Sequence, residues 1–211
     1  MIVMKSKKSP TVGRPRGFDP EVALERAMQV FWRKGYAATS VADLTAAMGI
    51  NPPSLYAAFG NKEMLFRRVL ERYAAGPAAF IAESLNAPTA REVAERRLYG
   101  ALEHMGDSGQ PWGCLVVQML LSGGGEAEAL RRELMAAGCR AHEALVERFE
   151  RAKAEGDLPA ETDAAALARF LTTLLQGLSV QVAAGVSREE LRGVVDAALA
   201  TWPKARRKRT R

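Results

Sequence analysis

Cysteine and histidine are scarce: the 211-residue chain has two of each. Cys114 and Cys139 cannot build a disulfide framework, and they fit a reducing compartment. Cys139 and His142 stand at i, i+3 on one helical face, but His104 is the only other histidine, so the ligand set is too thin for a metal. A phosphate-binding glycine loop, a Ser/His/Asp arrangement and paired histidine ligands are all missing. These absences speak against an enzyme, and no metal or cofactor is expected. Stretches in which Val, Thr or Tyr alternate with polar residues are few, which argues against sheet. The longest apolar run, residues 164–186, carries Arg169, Gln176, Gln181 and several hydroxyls, so it reads as a buried helix rather than a membrane span. Residues 1–4 are too short for the apolar core of a secretory leader and run into Lys5, Lys7 and Lys8. A cytoplasmic protein with no membrane partner is expected.

What is present is helix-forming. Apolar residues make up 48% of the chain, and long stretches are rich in Ala, Leu, Glu and Arg, so an all-α fold is expected. The net charge of +6 is unevenly spread. Lys5, Lys7, Lys8, Arg14 and Arg16 meet no acid before residue 17, and Lys204, Arg206, Arg207, Lys208, Arg209 and Arg211 meet none after residue 202. Residues 76–202 hold twelve bases against eighteen acids. A basic front and an acidic body imply that only part of the chain meets a polyanion.

Capping signals divide the chain. Asp19-Pro20 opens a helix ended by Gly35; Ser40 to Asp43 forms a capping box for a short helix stopped at Gly49. Asn51-Pro52 starts a third helix ending near Phe59-Gly60, and Asn61 caps a fourth from Lys62 to about Ala75, before Gly76-Pro77. Thr89 to Glu92 opens the next, to about Met105. A short apolar helix spans Cys114 to Leu121, a long amphipathic one Ala127 to Glu155, and an apolar one about 163–184. Ser187 to Glu190 caps the last, whose Leu191, Val194, Val195, Ala198, Leu199 and Trp202 form one stripe. The count is nine helices, with room for a tenth. The expected division is a basic arm (1–17), a DNA-binding unit (18–75), an effector and dimerisation domain (76–202) and a basic tail (203–211).

Three short helices between residues 19 and 59, with a tight turn at Met48-Gly49-Ile50, make a helix-turn-helix arrangement. The stretches Phe31-Trp-Arg-Lys-Gly-Tyr36, Thr39-Ser-Val-Ala-Asp-Leu44, Ala47-Met-Gly-Ile50 and Ser54-Leu-Tyr-Ala-Ala-Phe-Gly-Asn-Lys-Glu-Met-Leu65 closely resemble the TetR/AcrR family of transcriptional regulators. About fifty consecutive residues carry that resemblance; the remainder resembles the family only in length and helical content.

The resemblance implies a homodimer that binds a palindromic double-stranded DNA operator and releases it when a small-molecule inducer enters the C-terminal domain. Most members are repressors. Thr39 and Ser40, at a helix N-terminus, suit a phosphate. Tyr56 matches the family's recognition-helix tyrosine and is expected on a phosphate, though it could also be a core aromatic, as Phe59 is. Lys62 is expected on a phosphate, and Asn51, Pro53 and Ser54 on base edges. Arg14 and Arg16, on a proline-stiffened arm, fit a narrow minor groove or a solvated tail equally.

For the effector, Met105, Trp112, Met119, Phe170 and Gln176 are candidate lining residues, each also explicable as core. Cys114 stands where a helix N-terminus could activate a thiol, so a sensor of electrophiles or oxidants on the same scaffold is the alternative reading. In the resembling family the last two helices form the dimer, here 163–184 and 188–202. The first is apolar nearly all round, so one flank is expected on the partner, with Ala168, Gly177, Ala183 and Ala184 allowing close approach. The stripe from Leu191 to Trp202 is the expected contact of the second. A non-specific DNA-compacting protein would share the basic tails but has no use for a long acidic body.

Overall fold

The computed structural model describes residues 17–104, 113–121 and 127–204. These form ten α-helices and one 3-10 turn, with no strand among the described residues. In chain order they are α1 (Pro20–Lys34), α2 (Val41–Met48), α3 (Pro52–Phe59), α4 (Lys62–Ala75), α5 (Ala79–Glu83), the turn Ser84–Asn86, α6 (Ala90–His104), α7 (Leu115–Leu121), α8 (Glu128–Ala154), α9 (Ala164–Ala183) and α10 (Arg188–Ala200).

The caps predicted from sequence set the helix starts. Asp19, Asn51, Asn61 and Asp163 each accept backbone N–H groups of the first turn, and Ser40 and Ser187 close reciprocal boxes with Asp43 and Glu190. Each such cap satisfies donors that would otherwise lack partners. α1 and α3 pack on α4, and α2 packs on α1, around Phe31, Tyr36 and Phe66, whose rings lie 4.8–6.0 Å apart. Leu44, Leu55 and Leu65 are buried in the same core, and so is Phe59, as expected of that aromatic.

The helix that the sequence did not signal is α5. It is five residues long, without a side-chain cap, and its place is set by contacts from elsewhere. Arg97 of α6, only 4% exposed, donates to the Ser84 hydroxyl and the Ile81 carbonyl. Arg148 of α8 donates to the carbonyls of Ala87 and Pro88. Phe80 lies so close to Gly100 that a Cβ there would stand 2.7 Å from its ring. Burial without a counter-charge lowers the Arg97 pKa to about 10; the guanidinium still carries its charge at neutral pH.

Burial of the α10 stripe corrects that helix's share of the dimer assignment. Leu191, Val195, Leu199 and Trp202 are buried within the chain, at 0–4% exposure. The helix lies chiefly on α6, and Trp202 meets Phe149 of α8 edge to face at 5.7 Å. An amphipathic helix buries its apolar stripe on the nearest core, which here belongs to its own subunit. Ala198 is half-buried, and of the six stripe residues Val194 alone is exposed. The outer face of α9 is also open and apolar, with Phe170 and Val180 about half exposed and Gly177 beside them. Gln176 shares that exposure. Phe170 and Gln176 therefore face outward instead of lining an effector pocket. Met119 is 3% exposed and packs in the core. Met105 and Trp112 lie outside the described residues.

Candidate nucleic-acid interface

The turn between α2 and α3 is closed by Gly49 in the left-handed region, φ +69°, where a side chain would be strained. Arg26 of α1 lies against this turn, its Nη1 3.5 Å from where a Gly49 Cβ would stand. Nothing in the spacing of the sequence ties Arg26 to a turn two elements away, so the sequence alone does not mark it.

α3 is amphipathic on a small scale. Leu55 and Phe59 face inward, while Pro53 and Tyr56 face outward. Tyr56 is 51% exposed, so its hydroxyl is open to a ligand and the ring is not part of the core. Ser54 is half-buried, and its N–H is held by Oδ1 of Asn51 at 2.9 Å. That capping bond uses the Asn51 oxygen, and the residue itself is exposed.

The N-terminus of α2 sorts the two hydroxyl residues. Ser40 is exposed. Its hydroxyl accepts the N–H of Asp43 and donates to the Asp43 carboxylate at 2.8 Å. Asp43 also pairs with Lys34 at 2.6 Å, and the Lys34 bond followed by the Ser40 bonds holds its carboxyl well below the usual range. Thr39 is different. It is 1% exposed, its hydroxyl donates to the Gly35 carbonyl at 2.6 Å, and its N–H donates to Tyr36. With both donors committed inside the fold, Thr39 is a structural residue here, which corrects its assignment to a phosphate.

Lys62 opens α4 half-buried, with Nζ 4.4 Å from the centre of the Tyr36 ring. The aromatic face steadies the ammonium without neutralising it. Arg14 and Arg16 lie outside the described residues. A groove of about 660 Å³ between α1 and α4 carries Glu21, Glu25 and Glu71 beside Arg68 and Arg72, a charge balance that does not suit a phosphate. Among the described residues no group of three or more His, Cys, Asp or Glu side chains is gathered to hold a metal.

Two family models match this architecture. One, described as bacterial regulatory proteins of the tetR family, covers residues 23–69, and a tetracyclin repressor-like C-terminal domain covers residues 96–198. The chain belongs to the TetR family. It is 34% identical over 193 residues to the HTH-type transcriptional repressor ComR of Escherichia coli (strain K12), spanning 90% of this chain and 92% of that protein. Its identity to the repressor BdcR of the same organism is also 34%, spanning 90% and 91% of the two chains. A cysteine-substituted form of the TetR family regulator CifR, bound to a 26 bp double-strand operator DNA, is 47% identical; the match has a TM-score of 0.83 and covers 90% of this chain and all of that one. The protein is accordingly a DNA-binding transcriptional regulator with the TetR fold. No described helix is long and apolar enough to cross a membrane.

Proposed function

We propose that this TetR-family regulator is a cytoplasmic repressor that binds a palindromic operator as a homodimer. A small-molecule inducer bound in the C-terminal domain releases it. The observation that carries the reading is the outward face of α3, where Pro53 and the half-exposed Tyr56 project beside the Lys62 ammonium. Pro53, Ser54 and the Asn51 amide are assigned to base edges, and Tyr56 and Lys62 to phosphates. Ser40, though exposed, already gives its hydroxyl and N–H to Asp43 and would have to open that box to reach one. Residues 18–75 are the DNA-binding unit and residues 76–202 the effector and dimerisation domain, bounds that contain the two family matches.

The dimer face is assigned to the outer side of α9, with Phe170, Gly177 and Val180, joined by Val194 of α10. Phe170, Val180 and Val194 are apolar and exposed in the single chain, and Gly177 leaves room for close approach, whereas the rest of the α10 stripe is already used. Repression is supported by the two relatives named as repressors, and operator binding by the CifR complex. The test is selection of duplexes from a randomised pool by the purified protein, followed by a gel shift with excess non-specific competitor. A palindrome that resists the competitor is the expected product. Binding that the competitor erases would leave only a non-specific DNA-binding protein.

A further inference from the structure

Contacts from both ends of the molecule converge on two consecutive residues. The indole Nε1 of Trp32 on α1 donates to the Gly113 carbonyl at 2.8 Å. The Tyr73 hydroxyl on α4 donates to Cys114 Sγ at 3.3 Å, and the Cys114 N–H donates to Ser179 Oγ on α9 at 2.7 Å. The Trp32 and Tyr73 rings meet edge to face at 5.1 Å, so α1 and α4 reach this segment as one unit. Gly113 has φ +64°, and a Cβ on it would stand 2.5 Å from the Ser179 carbonyl oxygen. Only glycine lets α9 come so close. Tyr73, Cys114 and Ser179 are all under 9% exposed.

We propose that Gly113–Cys114 is a latch that fixes the DNA-binding unit against α9, and that Trp32, Tyr73 and Ser179 are positioning residues for the spacing of the two operator half-sites. The inference rests on the dimeric operator binding argued above. α9 carries the face assigned to the second copy, and among the described residues Gly113 and Cys114 bond both to it and to the side chains of α1 and α4. A tilt at the latch therefore changes the separation of the two α3 helices. Buried hydrogen bonds suit such a role: breaking one strands a donor without water, so the closed arrangement is discrete. Another polar tie among the described residues, the two-pronged pair of Arg67 on α4 with Glu133 on α8 at 3.0 and 2.8 Å, is solvent-exposed, with Glu133 56% open. Water and salt screen that pair, whereas the bonds at Gly113 and Cys114 are shielded from both.

The experiment uses the palindromic duplex selected by the unmodified protein, with its central spacer lengthened or shortened by one or two base pairs, and a duplex carrying one half-site. Tyr73→Phe, Ser179→Ala and Cys114→Ala are each expected to flatten the preference for the natural spacing by about 3–10-fold, the worth of one buried hydrogen bond. Half-site affinity and dimer mass stay as in the unmodified protein. Cys114→Ser keeps an acceptor for Tyr73 and should keep the preference. Full spacing preference in Tyr73→Phe and Ser179→Ala would overturn the latch, and so would an equal loss on the half-site duplex, which marks damage to the fold. A protein that selects no palindrome at all removes the dimeric reading and the latch with it, and that result is visible before any variant is made.

Discussion

At the scale of single residues, charge and shape divide the interface into groups that hold DNA and groups that read it. Lys62 brings a full charge, steadied over Tyr36 at 4.4 Å, to the start of α4. Lys62→Ala should weaken binding to all duplexes about equally and lower the slope of log K against log salt by about one counterion. Ser54 has no charge, and its α3 position is fixed by the Asn51 cap. Ser54→Ala should instead change preference at one operator position, by about 1–3 kcal/mol if it meets a base edge. A Lys62→Ala protein with altered base preference and an unchanged salt slope would reverse these roles. The cysteines divide by access. Cys139 is exposed, while Cys114 is buried with its sulfur bonded by Tyr73. A maleimide should label Cys139 first, with the operator still bound. Operator release that follows slow labelling of Cys114, and is lost in Cys114→Ser, would instead favour the thiol-sensing alternative.

At the scale of helices, the same chemistry that made the element starts readable hid their partners. Caps act within four residues, so Asp19, Ser40, Asn51, Asn61 and Ser187 announce their helices in the sequence itself. α5 has no such cap and is held by Arg97 and Arg148 from distant helices, so nothing local could reveal it. The burial of Thr39 was hidden for another reason: its hydroxyl turns back to the Gly35 carbonyl only four residues away, but a threonine beside a helix N-terminus reads equally well as a cap or a ligand contact. Along α10 an apolar stripe looks the same whether it faces its own core or a second copy. The difference has a measurable consequence. Leu191→Glu places an unpaired charge in the subunit core and should cost on the order of 4 kcal/mol, lowering Tm by roughly 10 °C. Val180→Glu, on the exposed face of α9, should leave the fold intact and yield monomers by sedimentation. A folded monomeric Leu191→Glu beside a dimeric Val180→Glu would return the interface to the α10 stripe.

At the scale of the whole molecule, one short recognition helix is too small to specify a site by itself. α3 has eight residues, and few of them face outward, so each chain can read only a few base pairs. Affinity and specificity in such a design come from engaging two half-sites at once, because the second half binds at the effective concentration set by the first. A two-fold dimer presents its two α3 helices to the same face of the duplex only if the half-sites lie about 34 Å apart, one helical turn, or a multiple of that. The acidic balance of residues 76–202 supports this geometry, since like charge keeps the body off the phosphates and leaves α3 and its flanks as the contact. The selected operator should therefore be an inverted repeat in register with the helical turn, bound by whole dimers. Val180→Glu, by separating the subunits, should lose operator affinity by more than tenfold while binding a lone half-site as the unmodified chain does. Equal operator affinity for the monomeric variant and the dimer, measured at the same salt, would mean that one α3 suffices and that the two-site account is wrong.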